Sequence, residues 1–184
     1  MRISGGQYHG RKIDAPPGLI TRPTIDKVRQ AIFNILMHDI DGATFLDLFA
    51  GSGAVGIEAV SRGAKSVIFV ESGRKQVEII QKNLKKVKLD ANILDDDYKT
   101  ASRILNSQKK QFDIVFADPP YLEISPLEVI DTVIEYDLLT PKGLLIIEHK
   151  FGALTENDKL KLLKKRKFGQ TEISFFGRIP IENE

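Results

Sequence analysis

Two short stretches hold residues whose types and spacing suit chemistry. The first is Asp118-Pro119-Pro120-Tyr121, which follows the apolar run Phe112 to Ala117. Both prolines fix φ and neither donates an N–H, so the segment is rigid, extended and rich in carbonyl acceptors. Asp118 adds a carboxylate and Tyr121 a flat ring. Two acceptors beside a stacking face describe a receptor for a planar NH₂ group. Accepting its hydrogens localises the nitrogen lone pair and favours attack on an electrophilic methyl. No strong base is needed first, because the methylated ammonium is very acidic. Position and charge stabilisation supply most of the catalysis.

The second stretch is Gly51-Ser52-Gly53-Ala54-Val55-Gly56, a G-x-G-x-x-G pattern between a predicted strand and a predicted helix. Its glycines permit a tight turn and close approach of backbone N–H groups to a ligand. Glu71 lies twenty residues on, where a carboxylate can accept from two ribose hydroxyls. This fits a nicotinamide or flavin site and an S-adenosylmethionine site alike. Asp47 so near the loop would repel a pyrophosphate yet helps hold a cationic amino-acid group. Asp95-Asp96-Asp97 offers an acceptor for an adenine amine, and Asp118 to Tyr121 has no role in hydride transfer. The balance falls to S-adenosylmethionine.

The elements that must position these residues alternate. A helix is predicted over about residues 24–38, then strand Phe45–Phe49, helix Ala54–Ser61, strand Val67–Glu71, and helix 74–87. A weak strand Ala91–Leu94, a helix around Ala101–Leu105, strand Phe112–Ala117, helix 126–136 and strand Leu144–Glu148 follow. Leu160 to Leu163 read as a short helix and Thr171 to Arg178 as a strand. Such alternation predicts a doubly wound, mostly parallel α/β sheet, with ligands beyond the carboxyl ends of its strands. The polar residues there are Asp47, Glu71, Asp96, Asp97, Asp118 and Glu148.

With 184 residues, 42% hydrophobic and 28% charged, the chain is that of an ordinary globular domain, and no apolar run approaches a membrane span. The absence of cysteine excludes disulfides, thiolate catalysis and cysteine-bound zinc. His9, His38 and His149 are scattered, so no metal is expected. These features, and an N-terminus without an apolar signal core, fit the cytoplasm. Net charge is only +2, but six basic side chains lie in residues 1–30 and six more in residues 159–167. Clustered positive charge is the footprint of a polyanion binder. Residues 1–23, with Arg11, Lys12 and Arg22 among glycines and prolines, are expected to clamp a nucleic-acid substrate.

The glycine loop together with Asp118 to Tyr121 resembles the class I S-adenosylmethionine-dependent amino-methyltransferases. The likeness extends through Gly10-Arg11-Lys12, Thr21-Arg22-Pro23-Thr24, Ala31-Ile32-Phe33-Asn34, Asp47-Leu48-Phe49-Ala50-Gly51-Ser52-Gly53, Glu58-Ala59 and Ser61-Arg62-Gly63-Ala64. In that order these resemble the ribosomal RNA small-subunit methyltransferase D family, the 16S rRNA (guanine-N2)-methyltransferases.

The resemblance implies a seven-stranded Rossmann-like sheet, with a β-rich extension plus helix at 1–40 on the substrate side and a catalytic domain at 41–184. It implies S-adenosylmethionine as cofactor, S-adenosylhomocysteine as product, and no metal. Phe49, Ala50, Gly51, Ser52 and Gly53 would cradle the methionine part with support from Asp47. Glu71 would bind the ribose and Ser72 lie beside the adenine. Asp97 would meet the adenine amine, with Asp96 not separable from it, and Tyr98 would flank. Asp118, Pro119, Pro120 and Tyr121 would hold the guanine N2 group, and Arg22 and Thr24 would border the pocket. The partner implied is ribosomal RNA, free or in an assembling small subunit, with no membrane and no obligate protein partner. A DNA adenine-N6 methyltransferase shares the tetrapeptide, but 184 residues leave little room for its target-recognition domain. A non-catalytic RNA-binding module on the same fold is the alternative from another class; the intact Asp118 and glycine loop argue against it.

Overall fold

A computed structural model describes residues 1–16, 23–154 and 157–179, with the side chains of 23–25 left outside that description. Its seven strands form a mostly parallel sheet, and the chain divides into two compact units, Met1–Ala101 and Ser102–Glu184.

In the first unit, β1 (Thr44–Asp47), β2 (Ser66–Glu71) and β3 (Asn92–Asp95) run parallel in the order β3-β2-β1. β1 and β2 are nearly continuous apolar runs because helices cover them, whereas the edge strand β3 is polar at both ends. Phe45, Leu46, Phe69 and Val70 are buried, and Phe33 of α1 (Pro23–Ile35) stacks on Phe45 with ring centroids 6.4 Å apart. In α2 (Ala54–Ser61), a Cβ on Gly56 would fall 2.3 Å from the Phe69 ring, so only glycine lets that helix lie so close to β2. In α3 (Arg74–Val87), Val77, Ile80, Leu84 and Val87 recur at helical spacing and are all buried.

Residues 1–16 hold an isolated antiparallel bridge, Arg2 to Lys12, and one turn of 3₁₀ helix at Gly6–Tyr8. They are fastened to the helices by a buried carboxylate. Glu58 of α2 is 0% exposed and accepts from the Ser4 N–H (2.8 Å) and hydroxyl (2.7 Å) and from Arg62 Nε (2.8 Å). Arg29, 3% exposed on α1, faces the same carboxylate at 3.4 Å and donates to the Arg2 carbonyl at 2.7 Å. A second tie joins Asp14 to α3: its N–H donates to Asn83 Oδ1, and its carboxylate pairs with Lys82 and Lys86. Those two lysines hold the Asp14 carboxyl down at about 2.

In the second unit the order is β4-β5-β7-β6, from β4 (Phe112–Ala117), β5 (Leu139–Lys150), β6 (Leu160–Phe168) and β7 (Thr171–Arg178). β4 and β5 are parallel, whereas β5–β7 and β7–β6 are antiparallel. α4 (Tyr98–Ser107) carries the division between the units, and α5 (Pro126–Glu135) starts with a capping box in which Ser125 and Glu128 bond reciprocally.

Two expectations need correction. Leu160 to Leu163 do not form a helix; they open β6. Their exposed, lysine-rich surroundings hide any period, and pairing with the apolar β7 imposes the strand. β5 also starts five residues earlier than expected, because Pro141 and Gly143 disguise an irregular stretch where the register with β4 shifts.

Candidate active site

The first unit gathers the glycine loop and its carboxylates. Gly51 (φ 56°) and Gly53 (φ 75°) both occupy the left-handed region that favours glycine, and Gly53 is the N-cap of α2. Nothing lies within 4 Å of where a Gly51 Cβ would stand, so the loop presents backbone to open space. Asn83 steadies the loop from behind by donating to the Ser52 carbonyl at 2.9 Å.

Glu71, at the end of β2, accepts from the Gly51 N–H at 2.7 Å with one oxygen and from the Gly73 N–H at 2.8 Å with the other. It therefore shapes both loops, and its remaining lone pairs are what it can offer a diol. Ser72 beside it is exposed.

Asp47, at the end of β1, is buried. One carboxylate oxygen accepts from the Gly56 N–H at 3.1 Å; the other has no hydrogen-bond partner among the described residues. Burial pushes this carboxyl up to about 7, helped by the Glu71 charge and opposed by the Gly56 N–H. A lone buried acceptor beside an open glycine loop fits a cationic ligand, whose charge would favour the ionised form. Because the folded value lies above the ordinary 3.8, the contribution of Asp47 to stability is full below about pH 4 and is lost as pH rises towards 7. Without ligand, Asp47→Asn is therefore expected to gain on the wild type between pH 4.5 and 8, by a few kcal/mol, and to gain no more above 8. Denaturant unfolding at both pH values measures this; a stability difference independent of pH would mean that Asp47 ionises normally.

The Phe49 and Tyr98 rings meet at 5.0 Å, making an aromatic wall beside the loop. The three aspartates before Tyr98 divide their work. Asp97 Oδ1 accepts from the N–H groups of Lys99 and Thr100, capping α4, while Asp96 Oδ1 accepts from the Asp97 N–H. The capping role goes beyond the expected contact with adenine, and an aspartate before a helix is the sequence signal for it.

The second unit holds the tetrapeptide at the end of β4. Asp118, Pro120 and Tyr121 are exposed and Pro119 is buried. The carbonyls here were all expected to be available to a ligand. That of Pro120 is not, since it accepts from the Glu123 and Ile124 N–H groups in the turn that follows. Tyr121 Oη donates to Glu148 Oε1 at 3.3 Å. Burial and the neighbouring charges of Glu148 and Asp118 push the phenol up, and burial raises the Glu148 carboxyl. In sequence Glu148 is only a polar strand end; its contact with Tyr121 brings it into the site.

The basic N-terminal residues part company. Arg11 is turned onto its own chain, donating to the Val87 carbonyl at 3.1 Å with its guanidinium 5.1 Å from the Tyr8 ring. Lys12 is exposed. Arg22 lies outside the described residues, as does the side chain of Thr24. His149 is a satisfied core residue, between the Lys150 carbonyl and the Ser174 hydroxyl. Among the described residues no cluster of three metal-binding side chains occurs, and no helix is long and apolar enough to cross a membrane.

Known proteins resemble this chain along most of its length. The family described as Conserved hypothetical protein 95 matches residues 1–177. Ribosomal RNA small subunit methyltransferase D of Escherichia coli K12 is 34% identical over 97% of this chain and 90% of its own length. The protein of that name from Haemophilus influenzae is also 34% identical, over 92% and 89%. The solved structure of Escherichia coli yhhF superposes with a TM-score of 0.84 at 34% identity, covering 97% of both chains.

Proposed function

We propose, starting from the fact that this chain belongs to the Conserved hypothetical protein 95 family and with its ribosomal RNA small subunit methyltransferase D relatives, that it methylates the exocyclic N2 amine of a guanine in small-subunit ribosomal RNA. At the coarser level it is an S-adenosylmethionine-dependent rRNA methyltransferase. The observation that carries the finer reading is the exposed Asp118 on a proline-stiffened strand end, with Tyr121 beside it.

S-adenosylmethionine supplies a methyl group on a positively charged sulfur. Residues 49–53 hold its methionine part by backbone, Asp47 answers its positive charge, Glu71 takes the ribose, and Phe49 and Tyr98 flank the adenine. Asp97, which caps α4, meets the adenine amine. Ser72 lies next to Glu71 on the same rim.

In the second unit, Asp118 and the Pro119 carbonyl accept the two N2 hydrogens of the guanine, which stacks on Tyr121; Pro120 keeps the segment extended. These acceptors draw the nitrogen lone pair out of the ring and stabilise the charge that develops on nitrogen as it is methylated. The proton of the resulting ammonium leaves to Asp118 or to water.

The reaction takes place in the cytoplasm, on RNA free or in an assembling subunit. Mapping methylated guanines in small-subunit rRNA from cells with and without this protein tests the reading. Loss of one N2-methylguanosine on deletion is expected; unchanged RNA, or methylation of DNA adenine instead, overturns it.

The N-terminal segment with Arg22 and Thr24 grips the RNA backbone. Since Arg11 is committed to its own chain, Lys12 is the described residue of the pair that can reach a phosphate. Lys12→Ala should weaken RNA binding and flatten its log–log salt dependence by about 0.7–0.9, one phosphate contact. Salt titration with cofactor affinity as control decides it: an unchanged slope leaves Lys12 as surface decoration.

A further inference from the structure

The register of β4 and β5 brings a second carboxylate to the tetrapeptide. Ala117 pairs with Ile147 in parallel, and the next residues are Asp118 and Glu148. Neighbouring strands stand about 4.8 Å apart, so the two carboxylates leave adjacent strands at the same level. Both bear electrostatically on Tyr121, and Glu148 accepts its hydroxyl at 3.3 Å. A single contact of that length leaves acceptor capacity on a half-buried carboxylate. One carboxylate with a carbonyl suffices to hold an NH₂ group, so a second needs another explanation.

The Watson–Crick edge of guanine supplies one. N1–H and the N2 amine present three hydrogens in a row, whereas a base with an unprotonated N1 puts a lone pair in the first position. We infer that Glu148 is a specificity-determining residue, accepting the N1–H of the target guanine beside the N2 amine held by Asp118 and Pro119, and so rejecting bases whose N1 is an acceptor. This rests on the guanine-N2 reading above. A polar group placed for one donor and offered a lone pair instead is left both unpaired and repelled, which is how a site turns a hydrogen bond into selectivity. Burial raises the Glu148 carboxyl, in keeping with a group whose partner arrives with the substrate.

2-Aminopurine is the discriminating probe, because it keeps the N2 amine and carries a lone pair at N1. Small-subunit rRNA with guanine or 2-aminopurine at the mapped position would be assayed with wild-type protein, Glu148→Gln and Tyr121→Phe. The wild type is expected to favour guanine by roughly ten- to a hundred-fold in kcat/KM. Glu148→Gln should bring that ratio to within about three-fold, since a carboxamide N–H can face the N1 lone pair. Its cofactor affinity, read by calorimetry, should match that of the wild type. Tyr121→Phe should keep the wild-type ratio even if turnover falls.

Equal use of both bases by the wild type, an unchanged ratio in Glu148→Gln, or an equal shift in Tyr121→Phe would overturn the inference. The last outcome would make Glu148 a support for Tyr121 alone. The position of the methyl in the wild-type product separates the two levels. A methyl on any atom but N2 defeats the underlying reading as well; a methyl on N2 with an unchanged ratio defeats this inference only.

Discussion

Asp118→Ala is expected to lower methyl transfer by about two to four powers of ten while leaving cofactor affinity nearly unchanged. The carboxylate is asked to orient an amine, to draw its lone pair out of the ring and to face the positive charge that appears on nitrogen. These interactions strengthen towards the transition state, so their loss should fall on kcat rather than on ground-state binding. Asp118→Asn retains one acceptor oxygen without the charge and should lie between the alanine variant and the wild type. Single-turnover transfer together with calorimetric titration of S-adenosylmethionine separates chemistry from binding. Near-normal turnover in Asp118→Ala would remove the tetrapeptide from the reaction.

Glu58→Ala should destabilise the protein by about 3–5 kcal/mol, the scale for removing one partner of a buried ion pair. Glu58 and Arg29 are 0% and 3% exposed, and Arg29 keeps Asp26 at 2.9 Å as its other carboxylate. The Ser4 N–H and hydroxyl would lose their acceptor in the same change. Stabilisation of that size shows in thermal or urea unfolding, and limited proteolysis should turn from resistance to cleavage within residues 1–16. A loss below about 1 kcal/mol would mean that the pair is replaceable by water.

The parallel half of the fold was legible because its signals are local and agree. Apolar runs of four to six residues end in a carboxylate or glycine, and helices carry apolar residues at three- and four-residue spacing; Ala54–Ser61 and Phe112–Ala117 fall as the pattern predicts. The carboxyl-terminal antiparallel half was legible only at β7. β6 is a strand because of what it pairs with, and nothing within Leu160–Phe168 records that partner.

The candidate site shows the same limit. Its acidic and glycine residues are visible as types, but their division of work is not. Asp97 caps a helix, Glu71 braces two loops, and the Pro120 carbonyl is absorbed by a turn. The last two depend on backbone N–H groups that the sequence leaves unmarked, and an aspartate before a helix marks only the first. Glu58 is the clearest case, an acid inside an otherwise apolar helix segment whose partners Ser4 and Arg29 lie far away in the chain.

That distance bears on synthesis. Ser4 finds its acceptor 54 residues later in the chain, and Asp14 its partner 69 later. A ribosome adding about 5–20 residues per second needs several seconds to make α3 after residue 14, and until then the Asp14 tie has no partner. Residues 1–16 are thus made well before the partners that secure them, and they carry Lys12, proposed to meet RNA. A nascent chain of this protein offers loose positive charge to the RNA around the tunnel mouth before it owns a folded surface, so a slow codon stretch between residue 14 and α3 would lengthen that exposure.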